Sequence, residues 1–474
     1  MLKELESDSL REECGVFGIY NNTDAATLTY FGLNALQHRG QEGAGIIVSD
    51  GKKLWGHRSL GLVADAFPEK IMEQLRFNSN NAIGHVRYST AGGNSFANVQ
   101  PFLIHSNEGY FAIAHNGNLV NAQQLRLSLE NKGSIFQSTS DTEVVAHLIR
   151  HSKAKTDLEQ ITEAVSQVVG AFSFAILTEK ALYAVVDAYG FRPLSLGQTE
   201  NGSYVVASET CALDVVGANF IRDIKAGEII EISSAGIISH QFAEPKPAKC
   251  SMEYLYFAQP NSIIDEVSVY NARRRMGEKL WDDAPVEADV IIGVPESGSL
   301  VAMGMGRRSG IAVERGLIKN RYIGRTFIQP TQELRDNAVR LKLSVVKHLI
   351  KDKRVIVVDD SIVRGTTSKK IVKLLRDAGA KEVHFRSAAP PIISPCFYGI
   401  NTSTKEELLA AGKTLEEMRE YMNVDSLAFL SVESMIEAVS RNYEGKLRGQ
   451  CVACFTGNYP TELFDDMLAF QEKC

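Results

Sequence analysis

Between Cys14 and about Ile238, apolar residues alternate with small or polar ones over short runs. Phe111-Ala112-Ile113-Ala114 reads as a strand, and Phe172-Ser173-Phe174-Ala175-Ile176-Leu177 reads as another that pairs with Leu182-Tyr183-Ala184-Val185-Val186. Helical periodicity is rarer there and clearest from Asp141 to Ile149. Two antiparallel sheets with flanking helices accommodate this order, so the first part of the chain is expected to be an α+β domain. Glu244-Pro245-Lys246-Pro247-Ala248-Lys249 is polar, carries two prolines and reads as a linker. Beyond it the period changes to strand-then-helix: Val290 to Val294 before a turn, then Val355 to Val358 before a loop and a helix from about Thr367 to Ala378. That alternation predicts a parallel sheet covered on both faces, with ligands at the carboxyl ends of its strands. Two further helical runs are expected at Lys405 to Met422 and Ser426 to Tyr443, ahead of a Cys-x-x-Cys.

Composition narrows the function classes. The 474 residues are 44% apolar and 23% charged, which gives a globular chain of two to four domains. With 51 basic against 57 acidic residues the formal charge is −6, so no broad cationic field exists for nucleic acid or an anionic membrane. No apolar run approaches the roughly 18 residues that span a bilayer, and Met1 to Glu13 is acidic without an apolar core, unlike a signal or transit peptide. Seven cysteines are odd in number and sparse, which fits a reducing cytoplasm better than a secreted scaffold.

Val357-Val358-Asp359-Asp360-Ser361-Ile362-Val363-Arg364-Gly365-Thr366-Thr367 carries the most chemistry. An apolar strand runs into two carboxylates, then into a small-residue loop that opens a helix. Backbone N–H groups and hydroxyls from Arg364 to Ser368 make a cradle for a monophosphate, and the carboxylates can bind sugar hydroxyls or Mg²⁺. The bland alternative is a polar strand exit followed by a helix cap. The string is not a Walker A loop, and Gly304-Met305-Gly306, followed by Arg-Arg-Ser, misses the dinucleotide fingerprint. It does resemble the 5-phosphoribosyl-1-pyrophosphate (PRPP) loop of type I phosphoribosyltransferases. That resemblance implies that Asp359 and Asp360 hold the ribose diol and Mg²⁺, while Arg364, Gly365, Thr366, Thr367 and Ser368 hold the 5-phosphate. Gly293-Val-Pro-Glu-Ser297-Gly298-Ser299 resembles the family's pyrophosphate loop, with Ser297 near the metal. The basic run from Lys319 through Arg325 to Arg335, Arg340 and Lys342 reads, in that family, as a lid.

Cys14-Gly-Val-Phe-Gly, Gln37-His-Arg39-Gly-Gln-Glu-Gly43, Gly84-His-Val-Arg87-Tyr-Ser-Thr90, His115-Asn116-Gly117-Asn-Leu119 and Ser140-Asp141-Thr-Glu143 resemble, in order, the class II glutamine amidotransferases. The implied fold is the N-terminal nucleophile αββα sandwich. A thiol nucleophile needs a base, and a free α-amine, with a pKa of about 7.7–8.0, serves only when its nitrogen is not peptide-bonded. Cleavage of the Glu13–Cys14 bond is therefore expected, with residues 1–13 a propeptide. The resemblance implies that Cys14 attacks the glutamine carboxamide, that Asn116 and Gly117 hold the oxyanion, and that Arg87 and Asp141 grip the glutamine carboxylate and ammonium. Arg39 belongs to the same pocket. His38, His85 and His115 each lie inside one of these strings and are expected to support the pocket rather than bind metal.

Cys451-Val-Ala-Cys454, alone, is a zinc half-site, a redox pair or part of an iron–sulfur site. Four cysteines without histidine suit tetrahedral zinc and [4Fe–4S] equally on count. The whole chain is similar to the amidophosphoribosyltransferase family, of the Bacillus-like type that bears a propeptide and a cluster. The resemblance implies that Cys250, Cys396, Cys451 and Cys454 ligate a [4Fe–4S] cluster, leaving Cys211 and Cys474 without a role. It also implies a glutaminase domain over 14–244 and a phosphoribosyltransferase domain over 250–474. The implied reaction converts glutamine and PRPP to 5-phosphoribosylamine, glutamate and pyrophosphate, with ammonia passed between the sites. Inhibition by purine nucleotides and a homotetramer belong to the family too. One departure is local: Gln259-Pro-Asn261-Ser stands where the family has Arg-Pro-Asp/Glu-Ser. An aminosugar synthase would need a sugar-isomerase second domain, and a PRPP-sensing regulator a basic DNA-binding module. Neither feature is read here.

Overall fold

A computed structural model describes residues 14–88, 95–106, 109–320, 343–400, 402, 405–440 and 449–464. Among them the first unit holds two antiparallel sheets. One runs Ala218–Asp223, Ser195–Thr199, Tyr204–Ala207, Gly15–Tyr20, Asn81–Arg87, Gly43–Ser49, Leu54–Leu60; the other runs Gly236–Gln241, Glu228–Ser233, Ala181–Val186, Gly170–Thr178, Gly109–Leu119, Phe102–Ser106. The period-two pattern explains the layering. Ala112 and Ala114 join Val16, Ile47, Ile83, Ala175 and Leu182 between the sheets. Phe111 and Ile113 face the other way, onto Val144, Leu148 and Ile161 of the helices Asp141–His151 and Asp157–Val165. Phe17 and Ile19 pack outward on Leu33, Met72 and Leu213. Three apolar layers thus separate helix, sheet, sheet and helix, which is the αββα sandwich expected. The expected hairpin pairs Ser173 with Val186 through to Leu177 with Leu182. Burying each such Leu, Ile or Phe contributes about 1.5–3 kcal/mol.

In the second unit a parallel sheet runs Val313–Glu314, Val290–Gly293, Arg354–Asp359, Glu382–Ser387, Ser426–Phe429. Ile291, Ile356 and Val358 face Met276, Val301, Met305 and Met435; Ile292, Val355, Val357 and Phe385 face Ile371, Leu375, Met418 and Met422. Both faces are covered, as the apolar strand runs require.

The segment after Lys405 differs from expectation. Among the described residues from Lys405 to Ser440, Lys405–Glu407, Leu415–Met422 and Val432–Val439 are helical and Ser426–Phe429 is the fifth strand; the end of the second expected helix, 441–443, lies outside the described residues. Asn423, in the left-handed conformation at φ 59°, ends the helix before it. The Asp425 N–H then donates to Val383 O at 2.9 Å, docking the strand on the sheet edge. A tertiary partner overrides the helical pattern here.

Candidate active sites

Cys14 immediately precedes the strand Gly15–Tyr20, in the middle of the first sheet. Gly15 pairs with Val86, so Cys14 comes abreast of Arg87 at the end of its neighbouring strand. Its thiol donates to Tyr88 O at 3.6 Å, and its carbonyl accepts from Arg39 Nε at 3.1 Å. Arg39 closes the turn Gln37–Arg39, and a Cβ on the next residue, Gly40, would lie 2.7 Å from the Arg87 backbone. Only glycine lets that turn sit flush on the strand. Three of the five strings therefore meet at Cys14, with Arg39 and Arg87 both buried.

The fourth string lies on the second sheet. His85 Nε2 meets His115 O at 3.0 Å and joins the strand beside Cys14 to the strand carrying Asn116 and Gly117. Asn116 is fully buried, and neither its Oδ1 nor its Nδ2 has a hydrogen-bond partner among the described residues. An unpaired buried amide costs about 1–3 kcal/mol, which marks a group held ready for something else. Gly117 has φ +140°, and a Cβ there would lie 2.0 Å from Ala171 O. Asp141, from the fifth string, accepts Leu119 N–H at 2.9 Å and faces His115 Nδ1 at 3.5 Å. Burial opposes its charge, but His115 and the Leu119 and Thr142 N–H groups outweigh that and lower its pKa. Burial holds His85 neutral, its pKa pushed down to about 3. His38 and His115 are likewise engaged by protein partners, Glu209 and Thr142. Residues 1–13 and Ser89 and Thr90 lie outside the described residues.

The paired carboxylates lie where two adjacent parallel strands end. Asp359 closes the strand Arg354–Asp359, and Asp360 follows; both are buried. Asp360 N–H donates to Asp359 Oδ1 at 2.9 Å, and Ser361 Oγ donates to Asp360 Oδ1 at 2.7 Å. Burial raises the pKa of Asp360, against a hydrogen bond from Ser297 and the nearby Arg273. Ser297, at the start of the helix Ser297–Ser309, is thus brought to Asp360. A Cβ on Gly298 would lie 2.2 Å from Val358 O, so the two loops touch backbone to backbone. Gly365, at φ +75°, opens the helix Thr366–Asp377, so the residues expected to cradle the phosphate, Thr366, Thr367 and Ser368, make up its first turn. Arg364 pairs with Glu407 at 2.5 Å. Lys319, itself exposed, ends a short strand that pairs with Leu343–Val345. Arg325, Arg335, Arg340 and Lys342 lie outside the described residues.

Cys250 and Cys451 stand side by side in a short parallel pair, and the Ile393 and Ser394 N–H groups both donate to Cys454 O. Burial first, then Cys396, Cys451 and Cys250, push the Cys454 thiol pKa up, so the four thiols share one neighbourhood. Among the described residues no three His, Cys, Asp or Glu side chains are set to hold a single metal ion. Cys211 is elsewhere, its thiol pushed up to about 12 by burial, and donates to Glu209 Oε2 at 3.6 Å.

Sequence reasoning missed Arg192, Glu209 and Glu253. Arg39 bridges Glu209 Oε1 at 2.7 Å and Glu253 at 2.7 and 2.9 Å, and Arg192 reaches Glu253 Oε1 at 3.4 Å and Tyr398 O at 2.6 Å. All four charged side chains are fully buried. Burial opposes ionisation of Glu209, but His38 and Arg39 more than offset it and hold its carboxyl well below its ordinary pKa. The available signal was an acid inside an apolar run, Met252-Glu253-Tyr254-Leu255, which demands a partner. The Gln259 departure lies at this network too. Gln259 meets Glu209 Oε2 through its backbone N–H at 2.8 Å, a contact that does not depend on the side chain.

Residues 85–215 match a glutamine amidotransferase domain family, and residues 263–389 match a phosphoribosyl transferase domain family. The chain is 52% identical over 468 residues to the amidophosphoribosyltransferase of Bacillus subtilis strain 168, covering 98% of this chain and 97% of that one. It is 51% identical to that of Staphylococcus aureus strain COL, over 96% and 92% of the two chains. Its structure superposes on the glutamine PRPP amidotransferase from B. subtilis complexed with ADP and GMP with a TM-score of 0.91, at 51% identity, covering 96% of this chain and 99% of that one. A second solved structure, described as the allosteric regulatory enzyme of purine biosynthesis, gives a TM-score of 0.92 at 51% identity, covering 96% and 97%. The two pockets, and these relatives along nearly the whole length, place the chain in the amidophosphoribosyltransferase family.

Proposed function

We infer that the chain makes 5-phosphoribosylamine from PRPP with ammonia taken from glutamine, the first step of purine synthesis. The carrying observation is contact between the first site and the second unit. Asn118 Nδ2, two residues from Asn116, donates to Phe397 O of the second unit at 2.9 Å, and Gly399 lies against the Gly117 backbone.

In this reading residues 1–13 are removed, 14–244 form the glutaminase domain and 250–474 the phosphoribosyltransferase domain. The Cys14 α-amine takes the thiol proton, and the sulfur attacks the glutamine carboxamide carbon. The Asn116 amide and Gly117 N–H hold the oxyanion. Ammonia leaves as the amine returns the proton, and water then hydrolyses the thioester to glutamate. Arg87 pairs with the substrate carboxylate through its planar fork, and Asp141, held ionised, pairs with the ammonium. Ammonia stays neutral only out of bulk water, so it is passed internally to the second site. There it displaces pyrophosphate at C1 of the ribose. Arg364, Gly365, Thr366, Thr367 and Ser368 hold the 5-phosphate, and Lys319 and Arg325 supply cations at the leaving group. Asp359, Asp360 and Ser297 present hard oxygen donors that fit Mg²⁺, which, when bound, neutralises pyrophosphate charge.

Cys250, Cys396, Cys451 and Cys454 fit a [4Fe–4S] cluster. Cys250 pairs with Cys451 in one short ladder and Cys250, Cys396 and Cys451 all act on the Cys454 thiol, which supports the reading, and a cluster held by the four would tie the linker to the C-terminal segment. The expected compartment is the reducing cytoplasm, and no helix among the described residues is long and apolar enough to cross a membrane. Purine nucleotides as inhibitors and a homotetramer complete the reading.

The test is the ratio of glutamate to pyrophosphate released by anaerobically purified protein given glutamine, PRPP and Mg²⁺. A ratio near one supports coupled sites. Glutamate without pyrophosphate removes the phosphoribosyl half of the reading.

A further inference from the structure

Two arginines from the first unit converge on one carboxylate from the second. Arg39 Nη2 lies 2.7 Å from Glu253 Oε1, Arg39 Nη1 lies 2.9 Å from Glu253 Oε2, and Arg192 Nη1 lies 3.4 Å from Glu253 Oε1. With Glu209, the group counts two guanidiniums and two carboxylates, all shut off from water. Charges buried this deeply have little freedom to move, because separating them costs far more than in water.

Each arginine also donates one N–H to a backbone carbonyl of the surrounding framework. Arg39 Nε donates to Cys14 O at 3.1 Å, fixing the backbone of the nucleophile. Arg192 Nη2 donates to Tyr398 O at 2.6 Å. The next residue, Gly399, at φ +110°, lies so close that a Cβ there would be 3.1 Å from the carbonyl carbon of Gly117 and 3.2 Å from Arg192 Nη2. One arm of the network ends at the nucleophile and the other at the oxyanion glycine. Glu253 joins them.

We propose that Glu253 is a positioning residue for the glutaminase step: by holding Arg39 and Arg192 together it sets the separation between Cys14 and the Asn116–Gly117 oxyanion site. The proposal rests on the assignment of Cys14, Asn116 and Gly117 given above. It also makes the glutamine pocket dependent on the second unit, which supplies the acid. The turn Glu253–Phe257 is itself fixed by Arg273, which donates to Tyr254 O, Tyr256 O and Ala258 O at 2.8, 3.0 and 2.8 Å.

Glu253→Gln keeps the size and one acceptor oxygen but leaves two buried guanidiniums short of a charge. The expected result is a fall of about 100-fold in kcat for the glutamine-dependent reaction, the penalty of a roughly 1 Å misplacement. KM for glutamine and the rate with ammonium chloride in place of glutamine stay unchanged. Glu253→Asp, which restores the charge, recovers part of the loss. An equal fall in the glutamine and ammonia reactions overturns the proposal, because it reports scaffold damage, and so does an unchanged glutamine kcat. If Glu253→Gln does not fold, Arg192→Lys replaces it; that variant keeps the charge but has no fork to span Glu253 and Tyr398, and the same split between the two reactions is required. Cys14→Ala in the same assays separates the layers: glutamine-dependent activity surviving it removes the underlying assignment, whatever Glu253 does.

Discussion

The Asn116 amide and the carboxylates of Asp359 and Asp360 are all buried at the edge of a candidate pocket, yet they stand in different states. Asn116 has no hydrogen-bond partner among the described residues, while Asp360 is met by Ser361, Ser297 and Arg273 and still has its pKa raised by burial. A neutral donor can wait unpaired at a cost of about 1–3 kcal/mol. Burial opposes the ionised form of a carboxylate such as Asp360. On the function proposed above, the unpaired Asn116 amide is the donor set aside for the oxyanion, whereas the buried carboxylates are the oxygen donors set aside for Mg²⁺ and a ribose diol. The two also differ in assembly: Cys14 is held by Tyr88 and Arg39, far away in sequence, while Asp359 to Ser368 is one contiguous strand exit.

The sharpest way to break the comparison is to disable each pocket separately. Cys14→Ala removes the nucleophile, so glutamine-dependent synthesis is expected to fall by a factor on the order of 10⁴ or more, with ammonia-dependent synthesis intact. Asp359→Asn should lower both by about 1,000-fold, the equivalent of about 4 kcal/mol of lost stabilisation. Product formation from glutamine and from ammonium chloride, measured side by side, decides it. If Asp359→Asn spared the ammonia reaction, the strand exit would not be the acceptor site.

Asn116→Ala sharpens the claim that the glutamine pocket is preorganised. One oxyanion donor lost should lower the glutamine kcat by about 100- to 1,000-fold with KM unchanged. Folding stability should hold or rise, since the variant deletes an unpaired buried amide. A raised KM with kcat unchanged would mean that Asn116 binds ground-state glutamine instead.

These differences decide what the sequence could tell. Asp359 to Ser368 was legible as one string because strand, carboxylates, turn and cradle follow one another. Gly365 precedes the helix Thr366–Asp377, and Ser297 starts the helix Ser297–Ser309. The glutamine pocket needed five separated strings, and the residues that lock it, Arg192, Glu209 and Glu253, bear no local signature of their partners. Their pairing depends on how two units pack, which no local periodicity encodes. The same reason explains Ser426–Phe429, where the edge of an existing sheet captured a segment whose pattern reads as helix. Alternation was more reliable where a strand packs on both faces, as with Phe111 to Ala114.

The smallest expected effect concerns acid. His85 bridges the two sheets of the first unit, and burial holds its pKa at about 3, far below the usual 6.5 or so. Below about pH 6.5 the unfolded chain binds a proton there that the folded chain does not, so the stability His85 permits is fully present above that pH and is lost as pH falls toward 3. One such proton is worth about 1.4 kcal/mol per pH unit. The free energy of opening, read from amide hydrogen exchange in the strands Asn81–Arg87 and Gly109–Leu119, should therefore decline between pH 6.5 and 4.5 in the native enzyme. His85→Asn should lower that opening energy at pH 7 and flatten its decline by up to about 1.4 kcal/mol per unit. Amides of Arg354–Asp359 in the second unit should keep their own pH dependence unaltered. If the variant moved both units in parallel, the two sheets of the first unit and the parallel sheet would be opening as one body, and the contrast between a pocket assembled from separated strings and one built on a single strand exit would fail at the level of stability.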